Sequence, residues 1–167
     1  MNNSYVFDID GVLCIYRYCD KKVSLNEADW IMECMRGTDT YKTAKPVKKF
    51  VKFIKDMAVE DFRNVNDFYV CSAASGSPEG KVKENWIKDN YPHIKPDNII
   101  IVGSSSYKLA VLKAIYEKTG KPVVLIDDKD ATVIDVDTDK NENLISLHIS
   151  EFLDESVMDT LIRLGLE

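Results

Sequence analysis

The sequence predicts an α/β fold built on a parallel sheet with helices on both faces. Two observations lead there. Short apolar runs of strand composition alternate with segments of helical spacing along most of the chain. Three polar clusters, Asp8/Asp10, Ser72 and Asp127/Asp128, fall at the carboxyl ends of such runs, where sheets of this class collect ligands. Chance explains one such cluster easily and three poorly. A length of 167 residues suits a single domain, 1–167, with one sizeable core, and 45% apolar with 30% charged residues is a globular rather than a disordered composition.

The first strand, Tyr5-Val6-Phe7, runs into Asp8-Ile9-Asp10-Gly11. Strand side chains alternate, so Asp8 and Asp10 are expected to leave on one side and face one point. Two carboxylates that close raise each other's pKa unless a cation intervenes, which invites a divalent metal, a shared proton, or both. Gly11, lacking a Cβ, permits a sharp turn beside them. A solvated strand end reads the same way in isolation, so the rest of the chain decides.

From Cys14 to Thr43 no strand pattern is clear, but Ser24 to Met35 reads as a helix capped by Ser24, with Trp30, Ile31, Cys34 and Met35 near one face. About thirty residues is long for a strand-to-helix connection, which makes 14–43 a candidate small cap with Trp30 contributing to substrate choice. The other reading is an extra helix packed on the core with Trp30 buried.

Pro46 suits the first turn of a helix of about thirteen residues marked by Val47, Phe50, Val51, Ile54 and Met57. Phe68 to Cys71 is a buried strand ending in Ser72-Ala73-Ala74-Ser75-Gly76-Ser77. Ser77-Pro78-Glu79 opens the next helix, with Val82, Trp86 and Ile87 inward and Tyr91-Pro92 ending it. Asn98 to Val102 is a third strand, broken by Gly103 and three serines, and the helix marked by Leu109, Leu112, Ile115 and Tyr116 stops at Gly120. Val123 to Ile126 and Leu144 to His148 are the fourth and fifth strands, and a last helix begins near Ser150. There is no internal repeat.

Lys108 opens a helix, where the macrodipole disfavours a cation. A neighbouring phosphate would explain it; an ordinary surface lysine is the alternative.

Other features bound the function. No apolar run approaches the roughly 20 residues needed to cross a bilayer, and the amino terminus lacks a secretory pattern, so a cytoplasmic protein without membrane contact is expected. Cys14, Cys19, Cys34 and Cys71 include no C-x-x-C pair, which argues against disulfides and structural zinc; Cys71 reads as a buried free thiol. A net charge of −6 counts against nucleic acid except as a phosphorylated end. Asp135-Val136-Asp137-Thr138-Asp139 starts like a calcium loop, but Lys140 and Ser146 stand where glycine and glutamate belong, so a solvated loop is expected. His93 and His148 lack metal-ligand spacing and read as surface or core residues.

The ordered set Asp8-Ile9-Asp10-Gly11-Val12, Ser72 after an apolar strand, Lys108 opening a helix, and Asp127-Asp128 after another strand resembles the four motifs of the haloacid dehalogenase (HAD) superfamily. The resemblance spans Tyr5 to about Ala131, and the order and spacing of the four motifs are its strongest feature. It implies a Rossmann-like three-layer sandwich with strand order 3-2-1-4-5 and magnesium-dependent phosphoryl chemistry. By matching position, Asp8 would be the nucleophile and Asp10 the general acid and base. Ser72 and Lys108 would hold phosphate, with Asp127/Asp128 completing the metal site. Within the superfamily, the segments around Cys71 to Trp86 and Lys108 to Asp128 are loosely similar to small phosphatases acting on nucleotides or polynucleotide ends.

Elementary chemistry agrees with those roles. A carboxylate attacking phosphorus divides one hard hydrolysis into two displacements. Asp10, carrying protons, should point its side chain away from the metal, leaving its carbonyl free to ligate. The amides of Ala73 and Ala74 are expected to form an anion-binding concavity beside Ser72. Adjacent residues point oppositely, so one of Asp127 and Asp128 should bind the metal directly, and the resemblance, through the family's Gly-Asp variants of this pair, implies Asp128. The expectation is a Mg2+-dependent phosphomonoester hydrolase for a nucleotide or other small organic phosphate. The alternatives are a polynucleotide 3′-phosphatase or a catalytically silent phospho-ligand or protein-binding module.

Overall fold

The computed structural model describes residues 3–15, 41–42, 44–60 and 67–166. In chain order the elements are β1 (Ser4–Phe7), β2 (Cys14–Ile15), β3 (Lys45–Pro46), α1 (Lys48–Glu60), β4 (Phe68–Ala73), α2 (Ser77–Asn90), β5 (Ile99–Val102), α3 (Lys108–Thr119), β6 (Val123–Asp127), α4 (Asp130–Asp137), β7 (Leu144–His148) and α5 (Val157–Arg163). Five strands form one sheet in the order β5-β4-β1-β6-β7, and every neighbouring pair is parallel. The fold is therefore α/β, a five-stranded parallel sheet flanked by helices.

Alternation along the strands makes the two layers. Tyr5, Phe7, Phe68, Val70, Val124 and Ile126 join one apolar cluster with Phe50, Phe53 and Ile54 of α1, Trp86 and Ile87 of α2 and Leu161 of α5. Val6, Tyr69, Cys71, Val123 and Leu125 point the other way, onto Leu112 and Ile115 of α3 and Val136 of α4. Both faces are covered, which is why the strands read as continuous apolar runs rather than alternating ones. On the first face the rings of Phe7 and Phe50 meet edge-on at 5.5 Å and those of Phe53 and Phe68 at 5.7 Å. Each such side chain contributes roughly 1.5–3 kcal/mol by leaving water.

The register positions the site. In the centre of the sheet Phe7 lies opposite Val70 on one side and Ile126 on the other. The residues that follow β1 therefore emerge between the carboxyl ends of β4 and β6.

Several expectations are corrected. Pro46 is not in a helical first turn: it lies in β3, opposite Cys14 of β2, while Val47 donates its amide to the Leu13 carbonyl and α1 starts at Lys48. β2 and β3 pair antiparallel and so close the two ends of the 14–43 stretch. The expected helix Ser24 to Met35, with Trp30, Cys19 and Cys34, lies outside the described residues. Asn98 sits in a 3₁₀ turn before β5, its side-chain amide donating to the Phe68 carbonyl at 2.9 Å. Ser150 begins no α-helix: a 3₁₀ turn at Ile149–Phe152 buries Phe152, and the final helix starts at Val157 behind the Ser156 cap. Asp135 and Asp137 belong to α4 rather than to a loop, because Val136 is needed in the core. Gly120 does end α3, in the left-handed conformation at φ 66°. Cys14 and Cys71 are free and buried, and burial pushes the Cys71 thiol up to about 12. Among the described residues no helix is long and apolar enough to cross a membrane.

Candidate active site

β1 ends at Phe7, but Asp8 extends its ladder by donating its amide to the Ile126 carbonyl at 3.0 Å. The chain then turns tightly: Cys14 donates to the Ile9 carbonyl at 2.9 Å, Gly11 to the Cys14 carbonyl at 3.1 Å, and Gly11 takes φ 77°. A Cβ at Gly11 would stand 2.7 Å from Asp128 Cγ, so the missing side chain is what lets the loop after β6 close over the turn after β1.

The turn separates the two aspartates, which corrects the expectation that both face one point. Strand alternation no longer applies once the strand has ended. Asp8 faces Lys108, Asp127 and Asp128; the Asp10 carboxylate is taken by Lys83 and Tyr41. They remain electrostatically coupled. Burial, then the charge of Asp8, raises Asp10 above the usual carboxylate range against the lowering effect of Lys83 and Tyr41.

Asp8, Asp127 and Asp128 each offer one oxygen, and these lie within 4.8 Å of one another. Asp127 is fully buried and both its oxygens are committed: Oδ2 accepts from Lys108 Nζ at 2.6 Å and Oδ1 from the Lys129 amide at 2.9 Å. Asp8 Oδ1 and Asp128 Oδ1 are buried without a hydrogen bond, although the Lys108 ammonium lies 3.1 Å from the former. Buried carboxylate oxygens without donors are costly, and burial together with the charges of Asp8 and Asp127 lifts Asp128 to about 6. One ammonium faces three carboxylates. A dication with a preference for hard oxygen donors fits that charge and those two orphaned atoms.

Lys108 is 1% exposed. Burial alone would lower its pKa, but Asp8 and Asp127 hold it above the ordinary value, so it stays charged. Its ammonium donates a hydrogen bond to Asp127 and pairs with Asp8 by charge at 3.1 Å, so the protein does not take up all three of its N–H donors. Ser72 is buried in β4 with its hydroxyl 3.4 Å from Lys83 Nζ. The expected concavity is smaller than a pair of amides: Ala74 donates to the Val102 carbonyl at 2.8 Å and is spent in the sheet. Successive strand amides point oppositely, so the Ala73 amide is turned toward the β1 side.

Four side chains here escaped the sequence reading. Lys83, 1% exposed, places its ammonium 2.7 Å from Asp10 Oδ2 and 3.0 Å from Glu79 Oε1, and donates to the Ala73 carbonyl. The signal was present: Glu79, Lys83, Trp86 and Ile87 share one helical face, and the last two were already expected inward. The third is Tyr41, which donates its hydroxyl to Asp10 Oδ1. His148 also reaches the site from the end of β7, its Nε2 donating to the Asp128 carbonyl at 3.0 Å while Nδ1 meets Ser150 Oγ at 2.7 Å. His93 is half-buried.

The arrangement has the parts needed to hold a dianion: a buried ammonium, a hydroxyl, a backbone amide and a carboxylate cluster suited to a cation. No family model, curated protein or solved structure matches the chain.

Proposed function

We propose that the protein is a magnesium-dependent phosphomonoester hydrolase of the HAD type, acting on a nucleotide or another small organic phosphate through an aspartyl-phosphate intermediate. The observation that carries this reading is the pair of buried, unbonded oxygens on Asp8 and Asp128 beside the Lys108 ammonium, at the carboxyl ends of adjacent strands. The strand order adds support: counted along the sheet alone, β5-β4-β1-β6-β7 is 3-2-1-4-5.

Asp8 and Asp128 would hold the magnesium, with Asp127 braced behind them, and the ion would supply charge that draws a phosphate dianion toward a carboxylate. Asp8 attacks phosphorus; its O–P bond forms as the ester P–O bond breaks, and the leaving oxygen takes the proton of Asp10. The raised pKa of Asp10 suits a group that must carry that proton. Water then loses a proton to Asp10 and attacks phosphorus, the Asp8–phosphorus bond breaks, and inorganic phosphate leaves. Ser72, the Ala73 amide and the remaining donor of Lys108 would hold the equatorial oxygens.

Turnover of a panel of phosphomonoesters, including nucleoside monophosphates and a 3′-phosphorylated oligonucleotide, tests the reading. The expected result is release of phosphate that requires magnesium and stops in EDTA. Undiminished turnover in EDTA, or none on any ester, overturns it. Preference for the oligonucleotide end would move the substrate to the polynucleotide class.

A further inference from the structure

Building on the phosphatase reading, we infer that Lys83, Glu79 and Tyr41 form a positioning device for Asp10, holding its carboxylate apart from the acidic cluster and aimed at the leaving group. Asp10 receives a donor on each oxygen: Lys83 Nζ at 2.7 Å on Oδ2 and the Tyr41 hydroxyl on Oδ1. Those two bonds fix the plane of the carboxyl group as well as its place.

Lys83 is in turn fixed. Its three N–H donors meet Asp10, Glu79 and the Ala73 carbonyl, so it has no donor in reserve for a phosphate oxygen. That distinguishes it from Lys108, which keeps one. Glu79 is itself buried, and its second oxygen accepts the Ser75 amide at 2.6 Å. The result is a continuous chain from the loop after β4, through Glu79 and Lys83 on α2, to Asp10. A buried ion pair contributes little net stability, because desolvation offsets the attraction. Two buried side chains converging on one carboxylate, one of them braced by a buried third, therefore serve better as a geometric device than as a stabilising one.

Tyr41 adds a link to the rest of the chain. It is 2% exposed, its ring packs on Trp86 at a centroid distance of 5.8 Å, and it lies where the chain returns from the 14–43 stretch to β3.

A misaimed proton donor is felt in proportion to how much the leaving oxygen needs its proton. Alkyl phosphates and nucleoside monophosphates need it; p-nitrophenyl phosphate hardly does. The test is kcat/KM across esters of graded leaving-group pKa, with magnesium, for wild type, Lys83→Met, Lys83→Arg, Glu79→Gln and Tyr41→Phe, with thermal midpoints measured in parallel. Tyr41→Phe keeps the ring packing and so keeps the test decisive if Lys83→Met folds poorly. The expected result is a loss of about 100-fold on alkyl esters with less than about 3-fold on p-nitrophenyl phosphate in Lys83→Met, and the same bias, smaller, in Tyr41→Phe and Glu79→Gln. Lys83→Arg should recover part of the alkyl-ester rate. Equal loss on all esters, following the thermal midpoint, would make the network merely structural and overturn the positioning role while leaving the phosphatase reading intact. A wild type inactive on every ester would overturn both.

Discussion

Gly11 and Asp128 occupy one space: a Cβ on the glycine would fall within van der Waals contact of the carboxylate, 2.7 Å from its Cγ. The turn after β1 and the loop after β6 are complementary only because residue 11 has no side chain. Gly11→Ala should therefore displace Asp128 from Asp8, and φ 77° adds backbone strain of about 1 kcal/mol or more. We expect a thermal midpoint lower by several degrees and a magnesium-induced rise in midpoint that largely disappears. A variant that is destabilised but keeps the full magnesium response would show that Asp128 does not belong to the cation site.

The proton affinity of Asp128 has a sign that can be checked. Its carboxyl is raised to about 6 in the fold, chiefly by burial, from about 3.9 in an unfolded chain. Between those values the folded protein binds more protons, so the stability this group contributes is present below about pH 4 and is lost as pH rises through 6. In EDTA, urea midpoints of the wild type should fall relative to Asp128→Asn from pH 4 to 7. With saturating magnesium the trend should reverse, because the cation competes with the proton, and affinity should drop about tenfold per pH unit below 6. Parallel profiles for the two proteins in EDTA would contradict the assignment.

Lys108 both balances the carboxylates and competes with a cation for them. Removing it in Lys108→Met leaves Asp8 and Asp127 buried without their ammonium, at a cost of about 3–5 kcal/mol to the metal-free protein. Magnesium should rescue this variant, giving a larger rise in thermal midpoint than in wild type, while turnover falls at least about 100-fold for want of a phosphate donor. A magnesium response no larger than that of wild type would mean that the ion does not share Asp8 and Asp127 with the lysine.

The strands were legible because both faces of the sheet are buried, so that Phe68 to Cys71 or Val123 to Ile126 cannot be mistaken for a half-wetted strand. Asp8, Ser72 and the Asp127/Asp128 pair were legible because strand ends in a parallel sheet are where such groups matter, and Lys108 because a cation opening a helix runs against the macrodipole. What escaped was what depends on which face of a helix is wet. A Glu79–Lys83 pair four residues apart usually decorates an exposed surface; here both are buried, and only their shared face with Trp86 and Ile87 betrays it. Tyr41 and His148 reach the site through tertiary proximity that no spacing encodes. The turn after Phe7 likewise ended the alternation from which Asp8 and Asp10 were expected to converge, and Pro46 was taken up by a short pairing with Cys14 rather than by the helix it precedes.

The most direct test of the central claim separates the two aspartates. Asp10→Asn retains the nucleophile but lacks the proton carrier, so p-nitrophenyl phosphate with magnesium should phosphorylate Asp8, and the acyl phosphate should persist for want of a base. Asp8→Asn should form no adduct with any ester. Intact mass spectrometry before and after hydroxylamine reads the outcome: a hydroxylamine-labile phosphoryl adduct in Asp10→Asn and none in Asp8→Asn is the result the account predicts, and equal adducts in both variants, or an adduct in Asp8→Asn alone, would contradict it.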